Sequence, residues 1–240
     1  NFEKYYNMHG CFFKSNELFE DKISNKCINN SKLLLLGDSL AAALNFGLRK
    51  KFSVDSITSA GCPSVKGFIP IDNKECNPLN TYVLENIVKN YNEIILHADW
   101  SYYYTKDNFK QKLENHLNYL NSLDKKIYII GNVPSYNINI PKILSKNILF
   151  NLNESHYLEN KNFLSQYKND TNIKKILKKN NLQNIKFVSL LEILCKKKQN
   201  IHLCKITENE NSSELFYWDK IHFTHHGSIY VADKLVFNND

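Results

Sequence analysis

The sequence contains one arginine, one methionine, two tryptophans, five prolines and seven glycines in 240 residues. A lone Arg49 argues against nucleic-acid binding, which relies on arginine forks for bases and phosphates. The remaining basic residues are lysines. They are scattered, apart from Lys196 to Lys198 and a few near Lys174, so the net charge of +7 forms no basic stripe. No run of about 18 apolar residues occurs, so the chain carries no transmembrane helix of its own. A signal-peptide pattern is missing too, and the first residue is Asn1, so the chain is expected to be a piece of something longer. No cysteine pair has the C-x-x-C spacing of zinc ribbons or thioredoxin-like sites. No internal repeat or low-complexity linker interrupts residues 29 to 240.

What is present is ordinary globular composition, 42% hydrophobic and 23% charged, which excludes wholesale disorder. A chain of this length can bury a core without help from a metal or a disulfide. Asn, Lys and Ile crowd the chain, and codon bias in an AT-rich genome accounts for that without a special function. The six cysteines fall as three neighbour pairs: Cys11 and Cys27, Cys62 and Cys76, Cys195 and Cys204. Six cysteines allow 15 connectivities, and neighbour pairing is the expectation. Cys195, His202 and Cys204 could also make a metal site, but three lysines between them would oppose a cation, so a disulfide is preferred and no metal is expected. Three disulfides imply an oxidising compartment.

Lys32 to Leu36 is a short apolar run ending in Gly37, as expected of a strand buried on both faces. Leu40 to Lys51 has helical spacing, and Ser53 to Ser59 alternates as a strand. Further strands are expected at Glu93 to His97, Lys126 to Ile130 and Ile185 to Val188. Helices are expected at Tyr82 to Tyr91, Asn108 to Leu123, Asn160 to Lys179 and Thr224 to Val236. Alternating strands and helices predict an α/β fold, a three-layer α/β/α sandwich around a parallel sheet of about five strands. Residues 1–28 read as an N-terminal extension, and 29–240 as the domain.

In such folds the chemistry sits at the carboxyl edge of the sheet. The first turn there reads Gly37-Asp38-Ser39-Leu40. Ser39 opens a helix, where free N–H groups favour negative charge, so it suits a nucleophile and equally suits an N-cap. Near the far end, Asp219 and His222 have D-x-x-H spacing just before the last helix. Asp219 can accept the Nδ1 proton of His222 and leave Nε2 to deprotonate a serine. Either motif alone is weak; together they favour a Ser-His-Asp site. His225 and His226 are alternative bases set aside on spacing. His97 reads as a satisfied strand-end histidine, and Asp38 as a hydrogen-bonding residue of the turn.

On these residues the chain resembles the GDSL or SGNH hydrolases, whose fold is flavodoxin-like. Gly37 to Leu40 matches their first block, Gly61 stands where their second-block glycine belongs, and Asp219-x-x-His222 matches their last block. Ala60-Gly61-Cys62-Pro63, Trp100, and Asp219 to Thr224 followed by Gly227 are similar to one branch, the SGNH domains fused to membrane acyltransferase-3 domains of bacterial sugar O-acyltransferases. The resemblance spans about residues 31–236. It implies Ser39 as nucleophile, His222 as base, Asp219 as its orienter, and the N–H groups of Ser39 and Gly61 as oxyanion donors. The family's third block normally supplies an Asn donor, but here it reads His97-Ala98-Asp99-Trp100, and a carboxylate cannot donate.

The resemblance implies an extracytoplasmic serine O-acyltransferase that moves acetyl groups to a cell-surface glycan. Trp100 and Trp218 could stack on the sugar. No tightly bound cofactor is implied; the acyl donor is a substrate whose acetyl group comes ultimately from acetyl-CoA. The implied partners are the glycan and a membrane acyltransferase-3 domain in the same polypeptide, joined through residues 1–28, at the periplasmic or extracellular face of the inner membrane. A secreted carbohydrate or lipid esterase with the same triad is the alternative. A glycan-binding module with a decayed site is another.

Overall fold

The computed structural model describes residues 6, 11–19, 23, 27–142, 156–210 and 212–237. Five apolar runs form parallel strands: β2 (Leu33–Gly37), β3 (Val54–Ser59), β4 (Glu93–His97), β5 (Lys126–Ile130) and β7 (Ile185–Val188). A sixth, β1 (Cys11–Phe13), lies at the edge and pairs in parallel with β3, Phe12 opposite Thr58. The sheet order is β1-β3-β2-β4-β5-β7. β1 comes from the segment read as an extension. Three residues give too little alternation to announce a strand, and part of residues 1–28 lies outside the described residues.

Side chains alternate across the sheet, so each apolar run feeds two cores. Leu34, Leu36, Ile94 and Leu96 pack beneath α4 (Phe109–Asn121) and α5 (Phe163–Lys179). Leu33, Leu35, Ile95 and Tyr128 pack on the opposite face beneath α1 (Ser39–Lys51) and α7 (His225–Lys234). The result is a three-layer α/β/α sandwich. The helix expected from Tyr82 begins earlier, as α2 (Cys76–Tyr82), and runs on through a π turn and a 3₁₀ turn to Asn90. A short α3 (Trp100–Tyr103) follows β4, and α6 (Leu190–Leu194) follows β7.

The cysteines form the bonds Cys11–Cys27, Cys62–Cys76 and Cys195–Cys204. The last lies inside a hairpin, β8 (Cys195–Lys198) and β9 (Ile201–Lys205), with β6 (Tyr157–Glu159) on the far side of β9. Sequence reasoning gave only a basic loop here, because consecutive lysines hide the alternation. The lysine stems do pack: Lys196 Nζ sits 3.7 Å from the centre of the Tyr157 ring. His202 is stacked on Phe163 at 3.8 Å. Among the described residues no cluster could hold a metal ion, and no helix is long and apolar enough to cross a membrane.

The tightest helix contact is between α1 and α7. The Gly47 N–H donates to Ser228 Oγ, and the Ser228 hydroxyl donates to the Leu44 carbonyl, both at 2.7 Å. A Cβ on Gly47 would lie 2.1 Å from the Ser228 carbonyl oxygen, so the two backbones touch. Alanine at this position gains about 1 kcal/mol of helix propensity. The collision outweighs that gain, since overpacking against rigid backbone costs about 1–3 kcal/mol before any such offset. Gly47→Ala is therefore expected to lower the midpoint of urea unfolding. A midpoint at or above that of the wild type would show that the helices separate freely.

Candidate active site

β3 and β4 lie on opposite sides of β2, so the loops leaving these strands diverge above the carboxyl end of β2. That divergence opens a crevice at the usual ligand position of a doubly wound sheet. Gly37 makes the approach possible: its φ is 149°, and a Cβ there would fall 1.7 Å from the His97 carbonyl oxygen. The chain then turns through Asp38, the N-cap of α1, whose Oδ1 accepts the Leu40 N–H at 2.8 Å. With Asp38 as the cap, Ser39 becomes the first helical residue. Its N–H has no intrahelical acceptor, and its side chain faces the crevice.

The last helix brings the other motif across. Asp219 Oδ1 accepts the N–H groups of Ile221 and His222, each at 2.9 Å, which closes a tight turn. Asp219 Oδ2 lies 2.9 Å from His222 Nδ1, and His222 Nε2 lies 2.9 Å from Ser39 Oγ. Burial pushes the Asp219 carboxyl upward, but the imidazole bond, the His222 charge and the two backbone N–H donors outweigh it and hold the pKa at about 2. The orienting group is thus a carboxylate at any working pH. His225 is stacked on Phe46 at 3.9 Å, and His226 pairs with Glu214 at 3.2 Å, so both are engaged elsewhere.

Beneath the serine lies a second acidic group. Asp38 is buried, and its Oδ2 accepts the Asp99 N–H at 3.0 Å. The Tyr103 phenol is held far above its ordinary pKa by burial and by the nearby Asp38 carboxyl. Burial raises the Asp38 pKa to about 6, against the downward pull of the Asp99 and Leu40 N–H donors. Asp99, in the third block, caps α3 by accepting the Tyr102 N–H at 3.0 Å. Burial raises its pKa as well. The Asn absent from the third block is not replaced by Asn132. That residue is buried, and both ends of its amide are used, by the Ser101 N–H and by Gln166 and Asp170.

A cleft of about 360 Å³ opens over the serine, lined by Ser39, Ala60, Asp219, His222, Tyr6, Phe12 and Lys14. Gly61, in the left-handed conformation at φ 65°, follows Ala60 on an exposed turn. The Ala60–Gly61 peptide thus lies beside the cleft.

Trp100 does not behave as expected. Trp100 is fully buried, and its Nε1 donates to the Ile130 carbonyl at 2.7 Å, so its ring is core and touches no ligand. It fills the space between the ends of β4 and β5. Trp218 is half-exposed but lines a different cleft, with Tyr217, Glu214, His225 and His226. His97 is buried with Nδ1 near the Ile130 carbonyl, and burial lowers its pKa to about 4. Sequence reasoning missed Tyr6, Phe12 and Lys14. The signal was only the aromatic density of the first 28 residues.

Asp38 has a consequence for stability. A carboxyl whose folded pKa is raised binds its proton more tightly when folded, so stability falls as pH rises from about 4 through about 6. Asp219 works in the opposite direction, but its loss comes only as pH drops through about 2. Asp38→Asn removes that contribution, so its urea-unfolding free energy is expected to rise relative to that of the wild type between pH 4 and 7. The remaining slope comes from other buried groups: burial raises the pKa of Asp99 and Asp170, which act in the same direction, and lowers that of His97 and His116, which act in the opposite one. A slope identical to that of the wild type would show that Asp38 is ionised throughout.

No curated protein sequence matches the chain. Among solved structures, it is similar to the periplasmic domain of the lipopolysaccharide acetyltransferase of Salmonella ser. Paratyphi A. The TM-score is 0.68 with 22% identity, over 92% of this chain and 88% of that one. It also resembles a GDSL-like lipase from Bacteroides thetaiotaomicron, with TM-score 0.50 and 10% identity over 97% and 94% of the two chains. At these identities the likeness establishes the fold. The family model that matches is the SGNH domain fused to AT3 domains, over residues 10–236. With nearly the whole length matched, the chain belongs to that family of SGNH domains.

Proposed function

We propose that the domain is an extracytoplasmic serine O-acyltransferase that moves an acyl group, acetyl in the first instance, to a surface glycan. The observation that carries this is the unbroken relay from Asp219 through His222 to Ser39, with 2.9 Å at each step. Ser39 Oγ attacks the acyl carbonyl of the donor while His222 Nε2 takes its proton. His222 returns that proton to the leaving group, and the acyl group stays on Ser39. A sugar hydroxyl then gives its proton to His222 and attacks the acyl carbon, releasing Ser39. Asp219 holds the Nδ1 proton and balances the imidazolium in both halves. The N–H groups of Ser39 and Gly61 are the assigned oxyanion donors.

Two features favour transfer over hydrolysis. The family is named for its fusion to AT3 domains, so a membrane partner in the same polypeptide is the natural source of the acyl unit. The Salmonella domain of the same fold belongs to an acetyltransferase. The third block lacks its Asn, and loss of one oxyanion donor typically costs about 10²–10³ in rate. That loss slows water and acceptor alike, and it is the proximity of a bound acceptor that favours transfer. The three disulfides fit an oxidising, extracytoplasmic location.

The test is a chromogenic acetyl ester with and without glycan fragments, following ester loss and acetylated sugar together. Transfer should exceed hydrolysis when acceptor is present. Ser39→Ala should abolish both. Asp219→Asn should lower both by about 10³–10⁴ while Ser39 and His222 stay in place. Fast ester hydrolysis with no acceptor ever acylated would instead make the protein an esterase. Full activity in Ser39→Ala would remove the site assignment altogether.

A further inference from the structure

A sugar hydroxyl that is to be acylated must come within hydrogen-bond reach of His222 Nε2, about 2.6–3.2 Å. Its ring therefore has to sit in the cleft that holds Ser39 and His222. Neither tryptophan lines that cleft. Trp100 is buried, and the cleft beside Trp218 contains no residue of the Ser-His-Asp set. The aromatic rings that do line the Ser39 cleft are Tyr6 and Phe12, with centroids 5.0 Å apart and planes at 69°.

The strand period explains how Phe12 gets there. In β1, Cys11 and Phe13 point to one face, where Phe13 is buried in the core with Ile57 and Phe19. Phe12 and Lys14 share the opposite parity, and both line the cleft. The strand is well held. Ala60 N–H donates to the Phe13 carbonyl at 2.8 Å, the Thr58 hydroxyl donates to the Cys11 carbonyl at 3.2 Å, and Cys11 is bonded to Cys27. β1 is thus tied to the loop that carries the Gly61 N–H. A cleft of about 360 Å³ is also far larger than an acetyl group needs, and falls within the ~300–1,000 Å³ of ordinary small-molecule pockets.

From this geometry we infer that the Phe12–Tyr6 face of the N-terminal segment is the acceptor subsite, a platform for one pyranose ring, with Lys14 at its edge. The inference rests on the acyl-transfer reading of Ser39. Phe12 and Tyr6 are positioning residues: they hold the ring while its hydroxyl points at His222. An aromatic face suits the C–H side of a pyranose.

The experiment uses the full 240-residue chain and separates binding from chemistry. In a Ser39→Ala background, saturation-transfer NMR is recorded with methyl glucoside, N-acetylglucosamine and glucuronic acid. At least one should receive saturation. Adding Phe12→Leu, which keeps apolar volume but removes the flat face, should weaken that binding about tenfold, near 1.4 kcal/mol. Adding Trp218→Ala should leave it unchanged. With Ser39 intact, Phe12→Leu should raise acceptor KM by a similar factor and leave kcat for transfer within about twofold.

Acylation of Ser39 by the chromogenic ester, read as a mass gain of one acetyl group, tests the underlying reading separately. If Ser39 acylates but Phe12→Leu changes neither sugar binding nor acceptor KM, the subsite is wrong and the acyl-transfer reading stands. If sugar binding depends on Phe12 but Ser39 never acylates, the platform binds sugar without being an acceptor subsite, and the proposal falls with that reading. Saturation of none of the three sugars overturns the proposal. So does a Phe12→Leu protein whose only change is its preference among acetyl, butyryl and octanoyl esters, since the wall would then hold the acyl chain.

Discussion

The approach of α1 to α7 at Gly47 and Ser228 sets the geometry on which the site depends. Ser39 is the first residue of α1, and His222 lies three residues before α7 begins. The two side chains meet across 183 positions of sequence, so no local rule can align them. What aligns them is a backbone-on-backbone contact with no Cβ between, fixed by two hydrogen bonds through the Ser228 hydroxyl. Eight residues of helix, about 12 Å, separate Gly47 from Ser39. Over that distance a helix behaves as a rod, so a shift at the crossing is delivered almost undiminished to the serine. A misplacement of 1 Å can cost about 10²-fold in rate, which is why a glycine is worth its helix-propensity penalty here.

The second constraint is electrostatic. Asp38, Asp99 and Asp219 all sit around one serine, and three carboxylates so close would repel one another if all were ionised. The structure gives them different environments. Asp219 receives two backbone N–H groups and the imidazole and stays charged well below neutrality. Asp38 is buried with only two N–H donors to offset the burial and is pushed toward its neutral form. The Asp99 N–H reaches Asp38 while its carboxylate caps α3, so the third block is joined to the first through the backbone. That use of the Asp99 carboxylate fits the proposed oxyanion donors, the N–H groups of Ser39 and Gly61.

The parallel strands were legible because burial on both faces leaves an unbroken apolar run, and Leu33 to Leu36 could be little else. The triad was legible because both of its halves are short motifs set at ends of elements. Three things were not. Cys195 to Lys205 is a hairpin whose lysines erase the alternation that marks a strand, and its pairing is evident only from Tyr157 and Cys204 opposite. Trp100 looked like a ligand contact because it follows a strand at the active edge. A neighbouring acceptor, the Ile130 carbonyl, turns its indole inward, and that acceptor comes from a different strand. Phe12 belongs to a strand of three residues, too short for any periodicity to declare which face it shows.

Each half of the triad announces itself by a local motif, whereas the orientations of Trp100 and Phe12 are set only by neighbours on other strands. The site residues most exposed to that uncertainty are those on β1, at the edge of the sheet. An edge strand touches one partner, so its cleft-facing residues can change without disturbing the central strands that carry Ser39 and the Asp38–Asp99 bond. β1 nevertheless cannot slide, because a one-residue slip would turn Phe13 out of the core and Phe12 into it. The register with Thr58 and the bond from Cys11 to Cys27 hold it. The fold thus separates an invariant requirement from a variable one. The helix crossing and the β2 turn hold the reacting atoms, and a stapled edge strand presents the wall against which a substrate is chosen.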